Sequence, residues 1–140
     1  MRRVGAAFLF AVVCACFIAC DDPQVASSDA KWERAGSADG TYWVDWRVVV
    51  GVIPKADPFD VEIRVTNYKT GAPVNVQCSI DAEMPEHGHG MNVIPNMQQL
   101  GPGHFLAKGM LLHMPGRWSI VIDATDGAMT ERAQFLYLMP

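Results

Sequence analysis

All four histidines of this 140-residue chain, and five of its eight methionines, fall between Met84 and Met114. The densest run is Met84-Pro85-Glu86-His87-Gly88-His89-Gly90-Met91, followed by Met97, His104, Met110, His113 and Met114. Imidazole nitrogen and thioether sulfur are donors that select copper, and thioether favours the soft Cu(I) ion. Zinc fits less well, because four histidines without a cysteine cluster do not make a zinc spacing. Each donor also has a plainer role. Methionine fills irregular gaps in a core. The rings of His87 and His89 could bond to nearby carbonyls, and His113 could brace the Pro115-Gly116 turn. Glu86 is either a solvated charge or a carboxylate that orients an imidazole.

Enzyme chemistry finds no support in the residues. Neither a Ser-His-Asp nor a Cys-His arrangement is suggested, and Cys78 has no evident base. Cys78 shares a strand face with Val76 and Ile80, which reads as an inert core thiol. The formal charge is −4 for the whole chain. An acidic balance argues against nucleic acid or an anionic membrane surface as partner.

The elements that must position these donors read as strands. Tyr42 to Val52 is rich in Val, Trp and Tyr. Phe59, Val61, Ile63 and Val65 alternate with polar residues, as do Val74, Val76, Cys78, Ile80 and Ala82. Met91 to Leu100 is weaker and interrupted by Pro95, which suits an edge strand. His104 to Leu112, Arg117 to Ala124 and Ala128 to Leu138 complete the set. Turn signals stand between them, including Gly101-Pro102-Gly103, and Pro115-Gly116 fits the centre of a type II turn. The pattern predicts an all-β, immunoglobulin-like β-sandwich of about seven antiparallel strands over residues 41–140.

Alternating strand directions sort the donors. The Met84–Met91 segment is a loop at one end. The strand opening at His104 begins at the opposite end and returns to His113-Met114. Nine residues at strand rise span about 30 Å, so His104 and His113 cannot share an ion. The candidate metal ligands are therefore Met84, His87, His89, Met91, His113 and Met114, with Met139 at the margin. His104 and Met97 are excluded. An extended backbone would point His87 and His89 to the same side.

The start of the chain reads as a targeting segment. Arg2-Arg3 precedes an uncharged apolar run from Val4 to Ala19, which ends at Cys20 before Asp21-Asp22. This is the form of a secretory signal peptide, and it resembles a bacterial lipoprotein signal cleaved before Cys20, with lipid added to that cysteine. Cys16 is a second candidate for cleavage, and an uncleaved membrane anchor is the alternative. Residues 1–19 would then be the signal peptide, and 20–40, rich in Ser, Ala, Asp and Gly, a flexible tether. The product would be a membrane-anchored lipoprotein outside the cytoplasm, on the periplasmic side in a Gram-negative cell.

From about Tyr42 onward the chain resembles the YtkA-like/FixH-like family of exported or membrane-anchored β-sandwich domains. The resemblance rests on Met84 to Met91, on Leu100-Gly101-Pro102-Gly103, and on His113-Met114-Pro115-Gly116-Arg117-Trp118. It implies an immunoglobulin-like fold outside the cytoplasm. FixH-like members are associated with assembly of a copper-containing respiratory oxidase, which implies a membrane protein acceptor. Two expectations follow: a Cu(I) carrier or buffer using the His/Met loop, or a non-catalytic module with a Met-lined surface that docks on a membrane protein.

Overall fold

The computed structural model describes residues 31–140. The expected signal peptide, Cys16 and the expected lipidation site Cys20 lie outside the described residues. Nine strands form in chain order: β1 (Glu33–Gly36), β2 (Tyr42–Val48), β3 (Phe59–Asn67), β4 (Gln77–Met84), β5 (His89–Gly90), β6 (Asn96–Gly101), β7 (His104–Met110), β8 (Gly116–Asp126) and β9 (Met129–Met139). They make two antiparallel sheets, one of order β1-β2-β3-β7-β6 and one of order β5-β4-β8-β9. This is the all-β sandwich that the alternation predicts. Among the described residues no helix is long and apolar enough to cross a membrane.

The seven strands read from the sequence are all present as β2, β3, β4, β6, β7, β8 and β9. Two more bring the count to nine rather than about seven. β5 has only two residues, too short for any period to show. β1 lies inside the stretch read as a flexible tether, so order begins before residue 40. Its four residues are polar or small and carry no alternation. What holds them is partner chemistry: Arg34 makes a bidentate pair with Asp45 on β2, at 2.7 and 3.0 Å. Beyond β1, Ser37 Oγ donates to Glu131 on β9 at 2.6 Å. Glu131 is buried, and its carboxyl is held below the ordinary range: burial pushes it up, and hydrogen bonds from Ser37 and the Thr41 region outweigh that.

Period-two alternation builds the core between the sheets. Val61, Ile63 and Val65 of β3 face Ile80, Ala82 and Met84 of β4, and Trp118, Ile120 and Ile122 of β8. Fully burying one such aliphatic side chain contributes about 1.5–3 kcal/mol. Pro95 stands just before β6, the outer strand of its sheet, where a missing N–H breaks no central ladder.

Register fixes the two ends. Phe59 pairs with Met110, Trp46 with both Glu33 and Ile63, and Gly116 with Met139. One end, called the upper end below, therefore gathers the start of β1, the Val49–Pro58 loop, the Met84–Met91 hairpin, the His113–Met114 turn and the C-terminus. The Ala56 N–H donates to the Leu112 carbonyl at 3.0 Å and ties two of these segments together.

Candidate metal centre

The Met84–Met91 segment is a tight hairpin. The N–H groups of His87 and Gly88 both donate to the Met84 carbonyl, at 3.0 and 2.9 Å, and the Met91 N–H donates to Ala82 at 2.9 Å. Gly88 takes φ 66°, a left-handed value that glycine adopts without strain. The extended backbone expected through His87 and His89 is thus replaced by a turn, because the Met84 carbonyl captures two successive N–H groups. The two rings still lie 5.8 Å apart, centroid to centroid.

Met84 pairs directly with His89 across β4 and β5, which puts both side chains on the same face, with Met84 buried and His89 exposed at its edge. His89 thereby reaches His113, with ring centroids 5.2 Å apart. Trp118, fully buried on β8, stands edge-to-face with both rings, at 6.3 Å from His89 and 5.4 Å from His113. Its indole N–H donates to the Met114 carbonyl at 3.0 Å and anchors the turn that carries His113.

The separations allow a fit test. A metal–imidazole bond of about 2.0 Å puts the ion about 3.2 Å from a ring centroid. Two rings on one tetrahedral ion then stand about 5.2 Å apart, and on a linear one about 6.4 Å. The His89–His113 separation is compatible with the first value and His87–His89 lies between the two, and both are also distances at which rings pack without an ion.

Polar satisfaction separates His113 from its neighbours. Its Nδ1 is buried and has no hydrogen-bond partner. Such orphans are few in native structures. Among the described residues the other buried orphan is the Trp46 indole N–H, a donor that no cation can satisfy. An imidazole nitrogen without its proton is an acceptor and can take a metal ion or a proton donor.

Among the described residues no three His, Cys, Asp or Glu side chains gather closely enough to hold an ion. Histidine alone does not complete a site, and thioethers would have to supply the remaining donors. Met84 is 1% exposed, with its Cε close to Gly116, while Met91 and Met114 are partly buried against the core. Met139 is buried opposite Gly116.

The excluded donors are elsewhere. His104 donates to Glu62 at 2.6 Å on the outer face of the five-stranded sheet. Arg47 binds the same carboxylate through Nε at 2.7 Å. Met97 is on β6, opposite Ala107. Glu86 pairs at 3.6 Å with Arg117, both more than half exposed, which is the solvated alternative for that residue. Cys78 packs against the core, and burial pushes its thiol up to about 12, which keeps it protonated.

The residue that sequence reasoning missed is Trp118. Its place in the strand read over Arg117 to Ala124 marks it only as a packing residue, and it is also the wall against which His89 and His113 stand. A clue was available in the sequence, since Trp118 follows the His113–Met114 turn by four residues. No family model, no curated protein and no solved structure matches this chain, so its resemblance to the YtkA-like/FixH-like family rests on the quoted motifs alone.

Proposed function

We propose that this chain is a lipid-anchored, extracytoplasmic copper-binding protein that carries or buffers Cu(I) for a membrane acceptor. His89 and His113 would supply nitrogen, Met84, Met91 and Met114 sulfur, and His87, exposed like His89, a further nitrogen. The observation that carries this reading is the 5.2 Å approach of His89 to His113, whose buried Nδ1 has no partner. A site of imidazole and thioether lacks the thiolate that would hold Cu(I) most firmly, which suits an ion that must be passed on. The resemblance to a family tied to copper-oxidase assembly points the same way.

The test is a titration of the full chain in detergent with Cu(I) against a competing chelator. One ion per chain at submicromolar affinity is expected, and the His87→Ala/His89→Ala variant should lose it. Absence of stoichiometric binding would sink the copper reading, and equal binding by the variant would sink this site.

The rival is a non-catalytic interaction module whose partly exposed Met91 and Met114 form an adaptable docking surface for a membrane protein. The lack of a three-member group of His, Cys, Asp or Glu among the described residues favours it.

A further inference from the structure

We infer that the upper end of the sandwich is a membrane-contact surface, held against the zwitterionic headgroups and upper acyl chains of a lipid bilayer. The inference rests on the anchored reading above and adds an orientation to it.

The first support is where the chain enters. β1 runs from the upper end, since Glu33 pairs with Trp46 and Gly36 with Trp43. Lys31 and Glu33 line one cleft together with Val48, Val52 and Tyr137. Residues 1–30 therefore join the domain at this end, beside the last residues of β9. Eleven residues lead from Cys20 to Lys31, and fully extended they span at most about 38 Å. β9 alone, with 11 residues, is about 36 Å long. To lay the opposite end on the bilayer, the linker would have to stretch along the whole domain. To lay the upper end there, it needs no such stretch.

The second support is what that end exposes. Val50 and Val52 are 73% and 81% exposed, and Leu136 and Leu138 are 69% and 73% exposed. Val52 shares its cleft with Tyr137, whose neighbours Leu136 and Leu138 point to the other, outer face of β9. Two pairs of large apolar side chains, one on the Val49–Pro58 loop and one on the outer face of β9, thus stand in water towards this end, and exposed apolar side chains grouped at one end mark an interaction surface. The opposite end also exposes apolar side chains, but Tyr68 there is stacked on Trp43 at 4.4 Å, and Leu100 near the end of β6 and Met129 at the start of β9 belong to different sheets; Ile94, exposed as well, stands apart beside Asp123 and Arg132. The acidic balance of the chain favours a zwitterionic surface over an anionic one. The His87, His89 and His113 cluster shares the upper end, so this orientation turns it toward the membrane and toward an acceptor seated there.

The test uses the full chain reconstituted into phosphatidylcholine vesicles whose acyl chains are brominated. A thiol-linked fluorophore is placed at Val52→Cys in one sample and at Lys69→Cys, on the turn at the opposite end, in another. Cys20 is lipid-modified in this reading, and both samples carry Cys78→Ser, so that the partly buried Cys78 thiol does not compete for the label. Val50→Cys replaces the first probe if that variant fails to fold. Bromolipid should quench the probe at 52 at least twice as strongly as the probe at 69. Equal quenching, or stronger quenching at 69, overturns the orientation while the anchor stands. Failure of the chain to float with the vesicles overturns the anchor and the orientation together.

Discussion

The indole N–H of Trp118 donates to the carbonyl of Met114 at 3.0 Å, and this one bond fastens the His113 turn to a fully buried residue of β8. The site is thereby supported from the core and not by its own loop. Trp118→Phe keeps a ring beside His89 and His113 but removes the donor. The bond is part-buried, so its loss should cost about 0.5–1.5 kcal/mol, the net worth of an ordinary intramolecular hydrogen bond. The variant should unfold at lower urea concentration with an unchanged slope, and its Cu(I) affinity should fall. An unchanged midpoint would mean that the bond is replaced by water.

His89→Ala and His113→Ala should each weaken Cu(I) binding at least tenfold, about 1.4 kcal/mol. His104→Ala should leave Cu(I) binding as it was, because its ring is engaged by Glu62 on the outer face of the other sheet. Chelator competition on the three single variants reads both outcomes, and a loss at His104 equal to that at His113 would refute the placement.

Gly116→Ala should be destabilising for two reasons that add. Gly116 has φ 130°, which an alanine adopts only with strain, and a Cβ built there stands 2.5 Å from the Met84 Cε. A loss of about 1 kcal/mol or more is expected. Differential scanning calorimetry checks it. Met84→Ala, which empties a fully buried position, should cost about 2–5 kcal/mol. A Gly116→Ala/Met84→Ala double variant that loses less than the two single losses combined would show that the contact is shared.

Acid should weaken the fold through Glu62. Burial alone would raise its carboxyl, but hydrogen bonds and charge from His104 and Arg47 outweigh it and leave it below its ordinary value of 4.5. Arg64, on the same strand, faces it at 3.8 Å. A carboxyl lowered in the folded state stabilises the fold above its unfolded value. That contribution is lost as the pH falls through the folded one. Urea midpoints measured downward from pH 6 should therefore drop more steeply for the native chain than for Glu62→Gln. Parallel curves would remove Glu62 from the account.

Cys78 should resist alkylation in the folded protein at pH 8, since burial pushes its thiol up to about 12. Only the thiolate reacts. Iodoacetamide followed by mass spectrometry should find position 78 unmodified until denaturant is added. Rapid modification under native conditions would contradict the buried environment.

Much of this fold is readable in the residue order, for physical reasons visible at particular positions. Val61, Ile63 and Val65 alternate with Glu62, Arg64 and Thr66 because only one side of β3 meets the core. That period of two names the strand without any partner. The separation of His104 from His113 is equally local, since a strand has a fixed rise. β1 escapes because Glu33, Arg34, Ala35 and Gly36 have no period. It forms only where Asp45 and Glu131 wait on other strands.

The sequence by itself determined which donors exist, which strands carry them, and that His87, His89 and His113 share one end. Spacing and alternation are properties of a single chain segment. The tertiary structure alone decided that His89 meets His113 at 5.2 Å, that Trp118 stands against both, and that the His113 Nδ1 is buried without a partner. Those facts depend on the register between β4, β5 and β8 and on the packing of a turn from one sheet over the other. No periodicity encodes such a relationship, because it belongs to pairs of segments brought together by the shared core.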